Sequence, residues 1–109
     1  MKLYFGGAWQ GKETLVRKTH GPEAKILPAY HLRVREQLRE GQDPVKELER
    51  LVKEEPELIL ICDEVGCGIV PAEAEEERYR EAVGRTLCRA AELSDEVFRV
   101  QCGIGIRIK

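Results

Sequence analysis

No apolar run in this sequence approaches the roughly 20 residues of a membrane-spanning helix, and no leader-like segment precedes the first strand pattern. These two absences speak against a membrane partner and make a cytoplasmic location the expectation. Long basic blocks are missing as well. Lys and Arg number 18 against 20 Asp and Glu, a formal charge of −2, so neither nucleic acid nor an anionic membrane surface is an expected partner. The four cysteines form no CxxC pair: four residues separate Cys62 from Cys67, with Cys88 and Cys102 far off. Cys62, Cys88 and Cys102 are therefore expected as small buried hydrophobes rather than as zinc ligands or disulfide partners. Cys67, in a glycine-rich stretch, reads either the same way or as a redox-sensitive thiol. No internal repeat and no low-complexity linker interrupts the chain.

What is present is the balance of a globular domain, 42% hydrophobic and 35% charged over 109 residues. A single domain spanning residues 1–109 is expected, with one modest core. The run 58–62, Leu-Ile-Leu-Ile-Cys, reads as a buried strand. Residues 2–5 read as a first strand, 96–101 as another, and 104–108 as a short final one after a tight turn at Gly103 and Gly105. Residues 24–27 are a brief strand or an extended link.

Helices alternate with these strands. One begins at Lys12 and stops near Gly21-Pro22. A second, about 29–40, carries Tyr30, Val34 and Leu38 on one face and ends at Gly41. Asp43-Pro44 starts a third with a capping carboxylate followed by proline, and Val45, Leu48, Leu51 and Val52 form its stripe up to Pro56. The longest, about 72–93, repeats Tyr79, Ala82, Val83, Thr86, Leu87, Ala90 and Leu93 at spacings of three and four. Glu73, Glu75, Glu76 and Glu77 crowd its first turns, as a dipole-matched solvated face rather than a metal or substrate site. Alternating strands and helices imply an α/β fold, a small three-layer domain with a mostly parallel sheet of about four strands.

Chemistry concentrates at two strand ends. After the first strand comes Gly6-Gly7-Ala8-Trp9-Gln10-Gly11-Lys12, which satisfies most of GxxxxGK[ST]. Glycines let backbone N–H groups wrap phosphates, and a lysine neutralises them. Glu13 stands where a hydroxyl would ligate Mg²⁺, and Thr14 comes one residue late, its hydroxyl turned away by about 100° on a helix. A phosphate loop and a plain strand–turn–helix joint both fit. Trp9 would stack on a base or cover the loop. After the buried strand comes Asp63-Glu64, the kind of acid that holds Mg²⁺ in phosphate-loop enzymes. Ligands of open α/β sheets bind outside such carboxyl ends, so both acids are expected at the same sheet edge as Lys12. His20 reads as a partner of terminal helix carbonyls. His31, near a helix start, reads as a surface or capping residue on position alone.

Taken together, these motifs resemble the bifunctional adenosylcobinamide kinase/adenosylcobinamide-phosphate guanylyltransferase family. Gly6-Gly7-Ala8-x-x-Gly11-Lys12 is similar to the family's start, where Ser normally follows. Asp63 through Pro71 is similar to its Asn-Glu-Val-Gly-x-Gly-Ile-Val-Pro block. Tyr79-Arg80-Glu81-Ala82-Val83-Gly84-Arg85 resembles Phe-Arg-Asp-x-x-Gly-Arg, and the ending Cys102 to Lys109 resembles the family's terminus. The likeness covers 1–18 and about 58–109. The middle is shortened against the family, which there carries a strand with a metal-binding acid and the histidine that accepts the guanylyl group.

The resemblance implies a phosphate-loop NTPase-like fold and a purine nucleotide, GTP or ATP, held by Gly6, Gly7, Ala8, Gly11, Lys12, Glu13 and Thr14. It implies Lys12 and Glu64 as catalytic candidates, with Glu64 acting through Mg²⁺, a water or the acceptor hydroxyl. Asp63 stands as the candidate Mg²⁺ ligand. His31, followed by Arg35, lies where the guanylyl-accepting histidine would be, although no guanylyl adduct is expected on it. A corrinoid partner and a homo-oligomer follow from the same resemblance, the latter also from unpaired sheet edges and the isoleucines of 104–109. With Glu13 and the missing strand, full bifunctional catalysis is not expected. The alternative is a non-catalytic nucleotide- or corrinoid-binding regulatory or accessory protein.

Overall fold

The run 58–62 pairs on both sides, and its residues Leu58–Cys62 are all buried, as the unbroken apolar pattern requires. A computed structural model describes residues 1–65 and 74–109. In chain order the elements are β1 (Lys2–Gly6), α1 (Lys12–His20), β2 (Ile26–Leu27), α2 (Tyr30–Arg39), α3 (Pro44–Glu54), β3 (Ile59–Asp63), α4 (Ala74–Leu93), β4 (Glu96–Gln101) and β5 (Ile104–Arg107). The strands form one sheet in the order β2-β3-β1-β4-β5. The first four are parallel, and β5 returns antiparallel to β4. Five strands thus replace the expected four or so, because residues 26–27 pair with Ile59 and Leu60 rather than run as a link.

The sheet separates two apolar clusters. On one face Tyr4, Ile59, Ile61 and Val100 bury Val16 of α1. On the other, Leu3, Leu60, Cys62 and Val97 meet Tyr30 and Val34 of α2, Leu48 of α3, and Val83 and Ala90 of α4. Helices therefore lie on both faces, the expected three-layer arrangement. Helix ends follow local chemistry: Asp43 accepts hydrogen bonds from the Val45 and Lys46 amides with Pro44 next in line, and Gly21 closes α1. The stripes predicted for α3 and α4 face the core, but Leu38 of α2 sits at the rim, about a third exposed.

Two other expectations need correction. Cys62 is buried, but Cys88 and Cys102 are exposed: Cys88 lies just off the stripe of α4, and Cys102 is in the turn between β4 and β5. Cys67 lies outside the described residues. His20 does not serve helix carbonyls. Its Nε2 meets the Tyr4 hydroxyl at 2.7 Å, while the Tyr4 ring stacks on Phe98 with centroids 4.6 Å apart. Glu75 and Glu77 at the start of α4 are solvated, whereas Glu76 reaches Arg35 of α2 at 3.2 Å, and Glu73 lies outside the described residues.

Candidate functional site

β1 is central, and the chain leaves it in opposite directions: through α1 towards β2, and later from β3 on its one side to β4 on its other. A crevice opens outside the carboxyl ends of strands at such a reversal. The register pairs Gly6 with Asp63, so the glycine loop and the acid pair emerge side by side. Asp63 and Glu64 lie at the edge that carries Lys12, as expected.

Gly6 is the last residue of β1, and a Cβ there would come within 2.5 Å of the Val100 carbonyl oxygen. That close approach to β4, rather than contact with a phosphate, demands glycine at this position. Gly11 precedes α1 with φ 78°, a left-handed conformation that seats Lys12 as the first helical residue. Lys12 is buried. Its Nζ donates to the Gly7 carbonyl at 2.7 Å and pairs with Asp63 Oδ1 at 2.7 Å. Ala8, Glu13 and Thr14 are exposed, and Glu13 pairs with Arg17 one turn along α1 at 3.0 Å. Trp9 is fully exposed, so it covers nothing.

Successive residues of an extended chain face opposite sides of a sheet. Asp63 accordingly points to the α1 side and Lys12, whereas Glu64 points to the other side. Its carboxylate pairs with Arg99 of β4 at 3.6 Å and borders an apolar cavity of about 330 Å³ lined by Leu3, Phe5, Val83 and Val97. The Glu64 amide donates to the Gly6 carbonyl at 2.8 Å, extending the β3–β1 ladder.

His31, a surface or capping residue on position alone and a site candidate only by the family resemblance, is brought to Asp63. Its Nδ1 accepts the Asp63 amide at 3.1 Å, and its Nε2 lies 3.5 Å from Asp63 Oδ2. The neutral ring then carries its proton on Nε2. Neither nitrogen offers a free lone pair in this arrangement. Tyr79 of α4 donates its hydroxyl to the His31 carbonyl at 3.2 Å, and Arg35 lies over the Tyr79 ring at 4.1 Å. Tyr79 had read as core and as the start of a family-like motif, and Arg35 as a neighbour of His31. A contact across 48 positions leaves no local signal in sequence.

Burial is the main cause that lowers the His31 pKa. Asp63 opposes the shift, and Lys12 and Arg35 add to it. A histidine depressed in the folded state favours folding fully above its unfolded pKa, about 6.5, and the contribution is lost as pH falls through that value towards the folded one. Urea midpoints of the wild type should therefore fall more steeply than those of His31→Gln between about pH 7 and pH 5. Parallel curves would show that the His31 pKa is the same in the folded and unfolded states. Cys62, beside the site, is pushed up to about 12 by burial and then by Asp63, and so remains a core thiol.

A glycine loop between a central strand and a helix, with a buried lysine bridged to the acid of the adjacent strand, defines an α/β protein of the phosphate-loop type. The profile of the cobinamide kinase / cobinamide phosphate guanyltransferase family matches residues 10–108, and the chain belongs to that family. Over 52 residues it is 42% identical to the bifunctional adenosylcobalamin biosynthesis protein CobU of Salmonella typhimurium (strain LT2), a stretch covering 48% of this chain and 29% of that protein. The protein of the same name from Escherichia coli (strain K12) is 38% identical over 52 residues, with the same coverage. The aligned stretch thus spans less than a third of the length of either relative.

Proposed function

We propose that this chain binds the phosphates of a purine nucleotide, GTP or ATP, in the loop 6–12, and that it serves the adenosylcobinamide kinase/guanylyltransferase chemistry of cobalamin biosynthesis in reduced form. The observation that carries this reading is the buried Lys12 ammonium at the mouth of the glycine loop, 2.7 Å from both Gly7 O and Asp63 Oδ1. A helix N-terminus and a lysine together favour an anion. Membership of the family supports a purine nucleotide and a corrinoid acceptor as the ligands.

The residues present do not suit a protein-held Mg²⁺. Asp63 Oδ1 is taken by Lys12, Oδ2 faces His31, and Glu13 turns to Arg17 where a hydroxyl would be. Because Asp63 offsets part of the lysine charge, phosphate attraction rests on Lys12 together with the backbone amides and the α1 dipole, and is reduced by that pairing. Binding is accordingly weak and nearly independent of Mg²⁺. Lys12 would exchange part of its bond to Asp63 for phosphate oxygen, and the freed carboxylate would keep His31 in place. Glu64, paired with Arg99, would act from the far side of the loop. His31 would hold Asp63 rather than accept a guanylyl group, since Nδ1 is engaged and Nε2 bears the proton. The exposed Ile104, Ile106 and Ile108 suit burial between copies in a homo-oligomer.

Calorimetric titration with GTP and with ATP, with and without Mg²⁺, tests the reading. Glu13→Ser should tighten binding about threefold in Mg²⁺ by removing a like charge and restoring a hydroxyl. Wild-type protein that takes up neither nucleotide at millimolar concentration would refute it.

A further inference from the structure

We infer that the β4–β5 hairpin, some 90 residues away in sequence, is a working part of the phosphate site, and that Gln10 is the positioning residue joining the two. The inference rests on the phosphate-binding reading of the loop but draws on separate observations. The Gln10 carbonyl accepts the Gly103 amide at 2.7 Å, and its side-chain Oε1 accepts the Cys102 amide at 2.7 Å. One loop residue thereby satisfies both successive amides of the turn. That turn has φ 51° at Cys102 and 74° at Gly103, both left-handed. Two-residue hairpin turns of this shape match the twist of the strands they join.

The contact continues on both sides of Gln10. A Cβ at Gly11 would sit 3.5 Å from the Gly103 Cα. A Cβ at Gly6 would strike the Val100 carbonyl, and one at Gly105 would come 3.0 Å from Leu15 Cδ2 of α1. The loop therefore meets the hairpin at both of its ends, at Gly6 and at Gln10 and Gly11, and α1 meets it at Leu15. Gly105, which otherwise would weaken a strand, is accounted for by the approach of Leu15, and Gly103 by its left-handed φ. A loop that binds phosphate through its amides must hold those amides in one orientation beforehand, because ordering them on binding would lower affinity. The hairpin supplies that order from outside the loop.

The test compares Gln10→Met, which has similar length and no acceptor, with Gln10→Glu, which retains one. In nitrogen-15 NMR spectra of the full chain, Gln10→Met should speed hydrogen exchange at the Cys102 amide and shift the Gly7–Lys12 amide resonances. Gln10→Glu should restore the protection at Cys102. The dissociation constants for GTP and for pyrophosphate should rise about fivefold in Gln10→Met, with a melting temperature close to that of the wild type. Loop resonances and Cys102 exchange unchanged in Gln10→Met would overturn the inference, as would a Gln10→Glu variant that fails to restore protection. Should the wild type bind neither probe, the nucleotide reading falls by itself. The coupling of loop to hairpin is then decided by the exchange data alone.

Discussion

Lys12→Met is expected to abolish measurable nucleotide binding and at the same time to lower stability by about 2 kcal/mol. The two effects share one cause. Lys12 is buried beneath the loop, with its ammonium bound to Asp63 and to the Gly7 carbonyl. Removing it leaves a carboxylate that is about three-quarters shielded from water without its cation. Breaking a fully buried pair costs about 3–5 kcal/mol. The residual exposure of Asp63 permits some solvation, which brings the estimate down. Adding Asp63→Asn to Lys12→Met should recover part of the stability and none of the binding. Denaturant unfolding of the two single variants and the double variant, alongside titration with GTP, reads both quantities. Additive stability effects would show that the pair contributes nothing as a pair, and GTP bound normally by Lys12→Met would remove the lysine from the site.

The second large effect is expected at Gly6. Gly6→Ala places a methyl group 2.5 Å from the Val100 carbonyl oxygen, well inside contact distance. The obstacle is backbone of a central strand, not the end of a flexible side chain. Either β1 and β4 separate or the loop entry shifts, at a cost of about 3 kcal/mol. Gly7→Ala serves as the control, because a Cβ there meets only the Gln10 side chain, at 3.9 Å. Thermal unfolding should separate the two by about 10 °C or more, given some 4–8 °C for each kcal/mol in a domain of this size. Equal melting temperatures would mean that β4 yields freely. In sequence both residues looked like phosphate-loop glycines. The structure divides them into a packing glycine and a loop glycine.

Much of the architecture could be read locally. The unbroken run 58–62 marked a strand buried on both faces. Asp43-Pro44 marked a helix start, and the threes and fours from Tyr79 to Ala90 marked the buried side of α4. These signals are local because hydrogen-bond satisfaction at helix ends and the side-chain periods of helix and strand act within a few residues. Cys88 shows the limit of such patterns. It is one position away from the buried stripe, and a rotation of about 100° per residue takes it to the surface.

The sequence by itself determined the alternation of strands and helices, the glycine loop with its lysine, and the two acids that follow a second strand. Only the tertiary structure decided that β1 and β3 are neighbours in register, so that Asp63 meets Lys12 while Glu64 turns across the sheet to Arg99. It also brought His31 to Asp63 across 32 positions and Gln10 to the C-terminal hairpin across 92. The physical reason is one of range. Backbone propensity and capping are settled among residues a few places apart, whereas ion pairs and hydrogen bonds between elements depend on strand order and register. Those are chosen by burial of both sheet faces at once, a property of the whole chain that no single segment encodes.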